Sequence, residues 1–123
     1  MARRRRPRPF LSEEATRLVA DRFRALADPS RLRILGALME GERSVGDLVD
    51  ALGLEQPTVS RHLAVLRRQG IVARRTDGNR AFYCIADASV VKLCEVVCGG
   101  LAERLATGLE ELPSPDSWRG AGI

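Results

Sequence analysis

Histidine occurs once in these 123 residues. That one imidazole, His62, falls inside a short helical stretch with polar neighbours, so neither a Ser-His-Asp triad nor a His-based zinc enzyme site can be assembled. The P-loop spacing and the Rossmann glycine pattern are both missing, and nucleotide-dependent chemistry lacks its usual phosphate cradle. The chain reads as non-enzymatic. No apolar run approaches the ~18 residues a membrane-crossing helix needs. The basic N-terminus is followed by Pro9 and Phe10 and lacks a signal-peptide core, which gives a cytoplasmic expectation with no membrane partner. Cysteine is scarce and odd in number: Cys84, Cys94 and Cys98. In that compartment they are expected as reduced thiols, and the count fits metal ligation, redox sensing or plain packing.

What is present fits one modest core, with 45% apolar and 29% charged residues. The net charge of +4 matters less than where the charge lies. Residues 56–80 hold six Arg against one Asp, whereas residues 81–116 hold Lys92 and Arg104 against six acids. A basic stretch of this kind favours a polyanion partner.

That stretch overlaps Ser44–Gly70, which reads as two short helices joined by a turn. Ser44 with Asp47 resembles a capping box, Leu48, Val49 and Leu52 form an apolar stripe, and Gly53 stands at a helix stop. Leu54 packs the turn and Pro57 sits in the first turn of the next helix, where its missing N–H costs nothing. Val59, Leu63 and Leu66, with Val65 less centrally, face a core, while Gln56, Thr58, Ser60, Arg61 and His62 fall mostly elsewhere. Such a polar N-terminal end suits a DNA major groove, where hydroxyls reach phosphates and Gln or Arg read purine edges.

The remaining elements follow from caps and turns. Residues 1–11 form an expected disordered basic arm, with five Arg and two Pro before Phe10. The folded unit spans 12–112, and a flexible tail covers 113–123, in which Trp118 has no assigned role. Ser12 starts one helix running to Ala27, with Leu18, Val19, Ala20, Phe23 and Leu26 on its apolar side. Asp28 and Pro29 start another, ended by Gly41, which carries Leu32, Ile34, Leu35, Leu38 and Met39 toward the core. Ile71–Arg75 and Arg80–Ile85 flank the turn signal Asp77-Gly78-Asn79 and predict an antiparallel hairpin, a wing with Arg74, Arg75 and Arg80 near its tip. These three arginines join the candidate DNA contacts, as flanking groups. Asp87 caps a last helix whose Val90, Cys94, Val97, Leu101 and Leu105 share a stripe, long enough to require a partner. The fold class expected is mainly α with a small β-hairpin.

Three blocks in order, FRALADPSRLRILGAL, PTVSRHLAVLRRQGIV and RRTDGNRAFY, resemble the ArsR/SmtB family over about Thr16–Leu105. The resemblance implies a winged helix-turn-helix of five helices plus a wing, in a homodimeric repressor of double-stranded operator DNA. Its first helix would belong to the dimer interface. It also implies release from DNA by an inducer, often a metal or metalloid ion. Two sensor sites known in the family are absent: Ser44, Val45 and Gly46 stand where relatives carry cysteines, and the terminal-helix site that depends on His cannot be built. What remains is Cys84 with Cys94 and Cys98, the latter two on one helix face. Three converging thiolates suit arsenite better than zinc, which wants a fourth ligand. No cofactor is needed for folding on this reading. Two alternatives stay open, a thiol-redox switch answering an oxidant and an effector-independent regulator with structural cysteines.

Overall fold

Ser12 starts the first helix because its hydroxyl accepts the otherwise orphaned N–H of Ala15 at 3.1 Å, while Glu13 and Glu14 set negative charge at the positive helix end. In the computed structural model, which describes residues 11–106, this is α1 (Glu13–Leu26). Asp28 caps α2 (Pro29–Met39) through the Arg31 N–H at 3.0 Å. α3 (Val45–Leu52) opens on a reciprocal capping box: Ser44 Oγ accepts the Asp47 N–H and the Asp47 carboxylate accepts the Ser44 N–H, each at 3.0 Å. Gly53 closes it at φ 66°, a left-handed backbone that favours glycine. α4 (Gln56–Arg68) then begins with Pro57 in its first turn and no side-chain cap from Glu55.

The hairpin consists of β2 (Val72–Asp77) and β3 (Arg80–Ile85), paired from Val72↔Ile85 to Asp77↔Arg80 around a two-residue Gly78-Asn79 loop. Gly78 has φ 61°, as a tight hairpin loop demands. α5 (Ala88–Ala106) follows, its start held by Asp87 Oδ1, which accepts from the Ser89 N–H at 2.9 Å.

Five helices and a wing match the sequence expectation, with three adjustments. A two-residue strand, β1 (Arg43–Ser44), pairs with β3 through Arg43↔Tyr83 and Ser44↔Phe82, so the sheet order is β1-β3-β2. β2 is displaced toward the tip relative to Ile71–Arg75, because Ile71 is fully buried under the sheet while Thr76 and Asp77 continue the pairing. α1 stops at Leu26, one residue early, where the Ala27 N–H closes the last turn onto Phe23 and Arg24. The expected basic arm up to Phe10, Trp118 and the expected tail lie outside the described residues. No described helix is long and apolar enough to cross a membrane.

The core is built around α2. Ile34, Leu35 and Leu38 meet Leu48 and Leu52 of α3, Val59, Leu63 and Leu66 of α4, and Ile71, Val72 and Val90 from the wing base and α5. Arg22 ties the periphery together: it donates to the Gln69 carbonyl at 2.6 Å, just past α4, and pairs with Asp87 at the start of α5. The Ser89 hydroxyl, and after it Arg22, holds the Asp87 carboxyl below the usual carboxylate range. A depressed folded-state pKa stabilises above the unfolded value of about 3.9 and is lost as pH falls through the folded one. Thermal melts of Asp87→Asn should therefore show a lower Tm than the parent at pH 7 and a shallower decline below about pH 4. Parallel acid declines for the two proteins would contradict this role.

Candidate nucleic-acid interface

Helical spacing divides α4 into two sides. Val59, Leu63 and Leu66 are fully buried, while Gln56, Ser60 and Arg61 are exposed and Thr58 is half-buried. The open side continues through Ala64, Arg67 and Arg68. Ala64 at its middle adds almost no bulk, so a groove wall can approach the helix closely. α2 fixes the turn before α4, since Arg33 donates to the Leu52 carbonyl at 3.1 Å and satisfies the end of α3.

His62 does not share that open side. Its side chain is 16% exposed, with Nδ1 3.2 Å from an Arg31 guanidinium nitrogen and Nε2 4.0 Å from Asp28 Oδ1. Arg31 also donates to the Ala25 carbonyl at 2.6 Å and the Arg24 carbonyl at 3.1 Å. The imidazole thus links α4, through Arg31, to the end of α1. The spacing carried a hint of this, because His62 is three residues after Val59 and four before Leu66, on the flank of the buried stripe.

The three wing arginines differ in their partners. Arg74 is exposed and its side chain makes no hydrogen bond or ion pair among the described residues. Arg75 forms a two-pronged pair with Glu42, at 2.8 and 2.6 Å, and its guanidinium lies 4.8 Å from the centroid of Phe82. Arg80 stacks on the same ring at 5.0 Å and reaches Ser44 Oγ at 3.4 Å. The hydrogen bonds from Arg75 hold the Glu42 carboxyl below its ordinary range. Arg22, Arg31, Glu42 and Phe82 are the residues that pattern reading missed, since their roles depend on partners distant in sequence.

Cysteine placement is more dispersed than the sequence expectation. Cys84 sits on β3 opposite Ala73 and lines a cleft of about 330 Å³ between the wing base, the end of α2 and Val91 of α5. Cys94 and Cys98 follow Val91 on the same side of α5 at helical spacing, displaced along the axis by about 4.5 and 10.5 Å. Burial pushes the Cys94 thiol pKa up, with Cys98 and Glu95 adding to it. Among the described residues no three His, Cys, Asp or Glu side chains are gathered closely enough to hold a metal ion. The Cys84, Cys94, Cys98 set therefore does not converge within one protomer in this arrangement.

Two apolar faces are left uncovered by the described residues. Leu18, Val19 and Phe23 are exposed on α1, and Val96, Val97 and Leu101 on α5, of which only Val90 is fully buried. A Cβ added to Gly99 or Gly100 meets nothing within 4 Å, so the room beside this part of α5 is open to a neighbouring backbone.

The family described as "Bacterial regulatory protein, arsR family" matches residues 28–74, from the α2 cap to the first half of β2. An uncharacterized HTH-type transcriptional regulator of Mycobacterium tuberculosis, Rv0081, is 43% identical over 106 residues, covering 82% of this chain and 92% of that one. Its crystal structure superposes with a TM-score of 0.71, covering 78% of this chain and 97% of that chain. The NMR structure of a homodimeric winged helix-turn-helix DNA-binding domain from Mycobacterium bovis, a possible ArsR-family regulator, gives a TM-score of 0.72 at 32% identity, covering 84% and 98%. A probable mercury resistance operon repressor of Streptomyces lividans is 44% identical over 71 residues, 58% of this chain and 57% of that protein.

Proposed function

The chain belongs to the ArsR/SmtB family of winged helix-turn-helix transcriptional regulators, and we propose that it acts as a homodimeric repressor whose two α4 helices enter successive major grooves. The observation that carries this reading is the unburied side of α4, where Gln56, Ser60 and Arg61 stand exposed beside an uncapped helix start. Thr58 completes the set at the groove edge, and His62 positions the helix from behind. Arg74, Arg75 and Arg80 supply phosphate contacts at the flanks. One short helix per half-site gives little discrimination, so two copies are needed, and the bare faces of α1 and α5 supply the surface for joining them.

For the inducer, a soft thiophilic ion is the reading the side chains support best, with arsenite favoured. Cys94 and Cys98 offer two sulfurs from one helix, and Cys84 is the nearest third from the wing base. Because the three are not gathered in this arrangement, an ion that completes its coordination selects a different placement of the wing against α5. Only such differential affinity shifts an equilibrium between DNA-competent and incompetent shapes. A mercury-related repressor among the relatives is consistent with a thiophilic inducer.

The test of the DNA reading is a binding titration against a duplex selected by the protein from a random library. Arg61→Ala should weaken binding by about five- to a hundredfold, the scale of one lost base contact, and Arg80→Ala should mainly flatten the salt dependence by about one unit of slope. Unchanged binding in both variants would remove α4 and the wing from the interface.

A further inference from the structure

Arg75 is the one wing arginine in a two-pronged ion pair among the described residues, and its charge already faces Glu42. A guanidinium meets a carboxylate and a phosphate with the same two-pronged fork. Phe82 holds that fork in place, and the same ring also carries Arg80, so two cations converge on one aromatic ring. Glu42 supplies the negative charge that makes this crowding tolerable. It is held at the turn between α2 and β1, where Gly41 has φ 144°, and not on the hairpin itself. The pair is part-exposed, with side-chain exposures of 55% for Arg75 and 33% for Glu42. Ion pairs this open to water are weak, and a polyanion can replace the carboxylate.

We propose that Glu42 stands in for a DNA phosphate on Arg75 in the free protein, acting as a positioning residue that preorients the wing arginine and makes weak, sequence-independent contacts compete with an internal anion. This rests on the DNA-binding reading given above. Non-specific association, which depends on phosphate neutralisation alone, must displace Glu42 without base contacts to offset it. The selected site offsets the displacement through α4. Glu42 thereby lowers both affinities by the same factor, so that complexes held by phosphate contacts alone fall below the working concentration while those with base contacts persist.

The experiment compares Glu42→Gln with Glu40→Gln, which makes the same charge change two residues away at a carboxylate only loosely paired, 3.5 Å from Arg43. Binding is measured across a salt series to a short random-sequence duplex and to the selected duplex, in the parent and in an Arg75→Ala background. Glu42→Gln should tighten binding to the random and the selected duplex alike, by about three- to tenfold more than Glu40→Gln does, and steepen the salt slope by up to about one. In the Arg75→Ala background that excess should vanish. Equal effects of the two substitutions, or an excess that persists without Arg75, would overturn the proposal while leaving the DNA reading intact. Failure of the parent to bind any duplex would overturn the DNA reading and this inference with it. Circular dichroism melts of each variant confirm that the comparison is between folded proteins.

Discussion

A chain carrying Val97→Asp and Leu101→Asp is expected to be monomeric and to lose affinity for its selected two-fold duplex by about a hundredfold or more. The size follows from effective concentration: once one α4 is seated, a linked second copy binds its half-site intramolecularly, a gain of about 10²–10⁴ that disappears when the copies separate. Both side chains are already about half exposed in the protomer, at 52% and 45%, so replacing them costs little packing within the folded chain. Between two α5 helices the same carboxylates would be brought together out of water, where unpaired charge is expensive. The open space beside Gly99 and Gly100 allows close helix approach at the same level. Light scattering would report the association state, and the thermal melt should stay near that of the parent extrapolated to low concentration. A variant that remains dimeric, or a monomer that binds the two-fold duplex as tightly as the parent, would reject the α5 face as the assembly surface.

Local signals explain why the helix-turn-helix was legible in the sequence. Ser44 and Asp47, Gly53, Pro57 and the Val59, Leu63, Leu66 stripe each act within a turn or two of the chain, and each has the role its spacing announces. Gly78-Asn79 fixes the hairpin in the same local way. β1 was illegible because two residues carry no periodicity, and its pairing depends on Phe82 and Tyr83 almost forty positions later. Long-range polar partners were hidden for the same reason. Arg22 joins α1 to Gln69 and Asp87, and Glu42 meets Arg75 thirty-three residues on. The stripe on α5 is legible as apolar, but its spacing does not say how far the helix stays on its own core. The first turn buries Val90, Leu93 and Cys94 are partly covered, and the stripe then runs out into the open. For the cysteines, helical spacing related Cys94 to Cys98, whereas the separation of Cys84 from both depends on where α5 leaves the sheet.

Cys94→Ser and Cys98→Ser are each expected to abolish arsenite-driven release from the selected duplex while leaving affinity without arsenite nearly unchanged. Neither residue lies on α4 or on the wing, and both follow Val91 at helical spacing on α5. Removing one leaves a single thiol on the helix, and a trivalent ion then loses the pair that anchors it. Cys84→Ser should retain two-sulfur binding but lose release, because the wing base is no longer drawn toward α5. Since burial raises the Cys94 pKa, its sulfur is a thiol at neutral pH; as the As–S bond forms, a hydroxide of arsenous acid leaves with that proton as water. Arsenite affinity should therefore stay nearly constant from about pH 6 to 8, with a heat of binding that does not depend on the buffer in calorimetry. An affinity that climbs steeply over that range with net proton release would contradict reaction at a protonated Cys94, and normal arsenite-driven release by a variant lacking all three cysteines would end the thiol-sensor reading altogether.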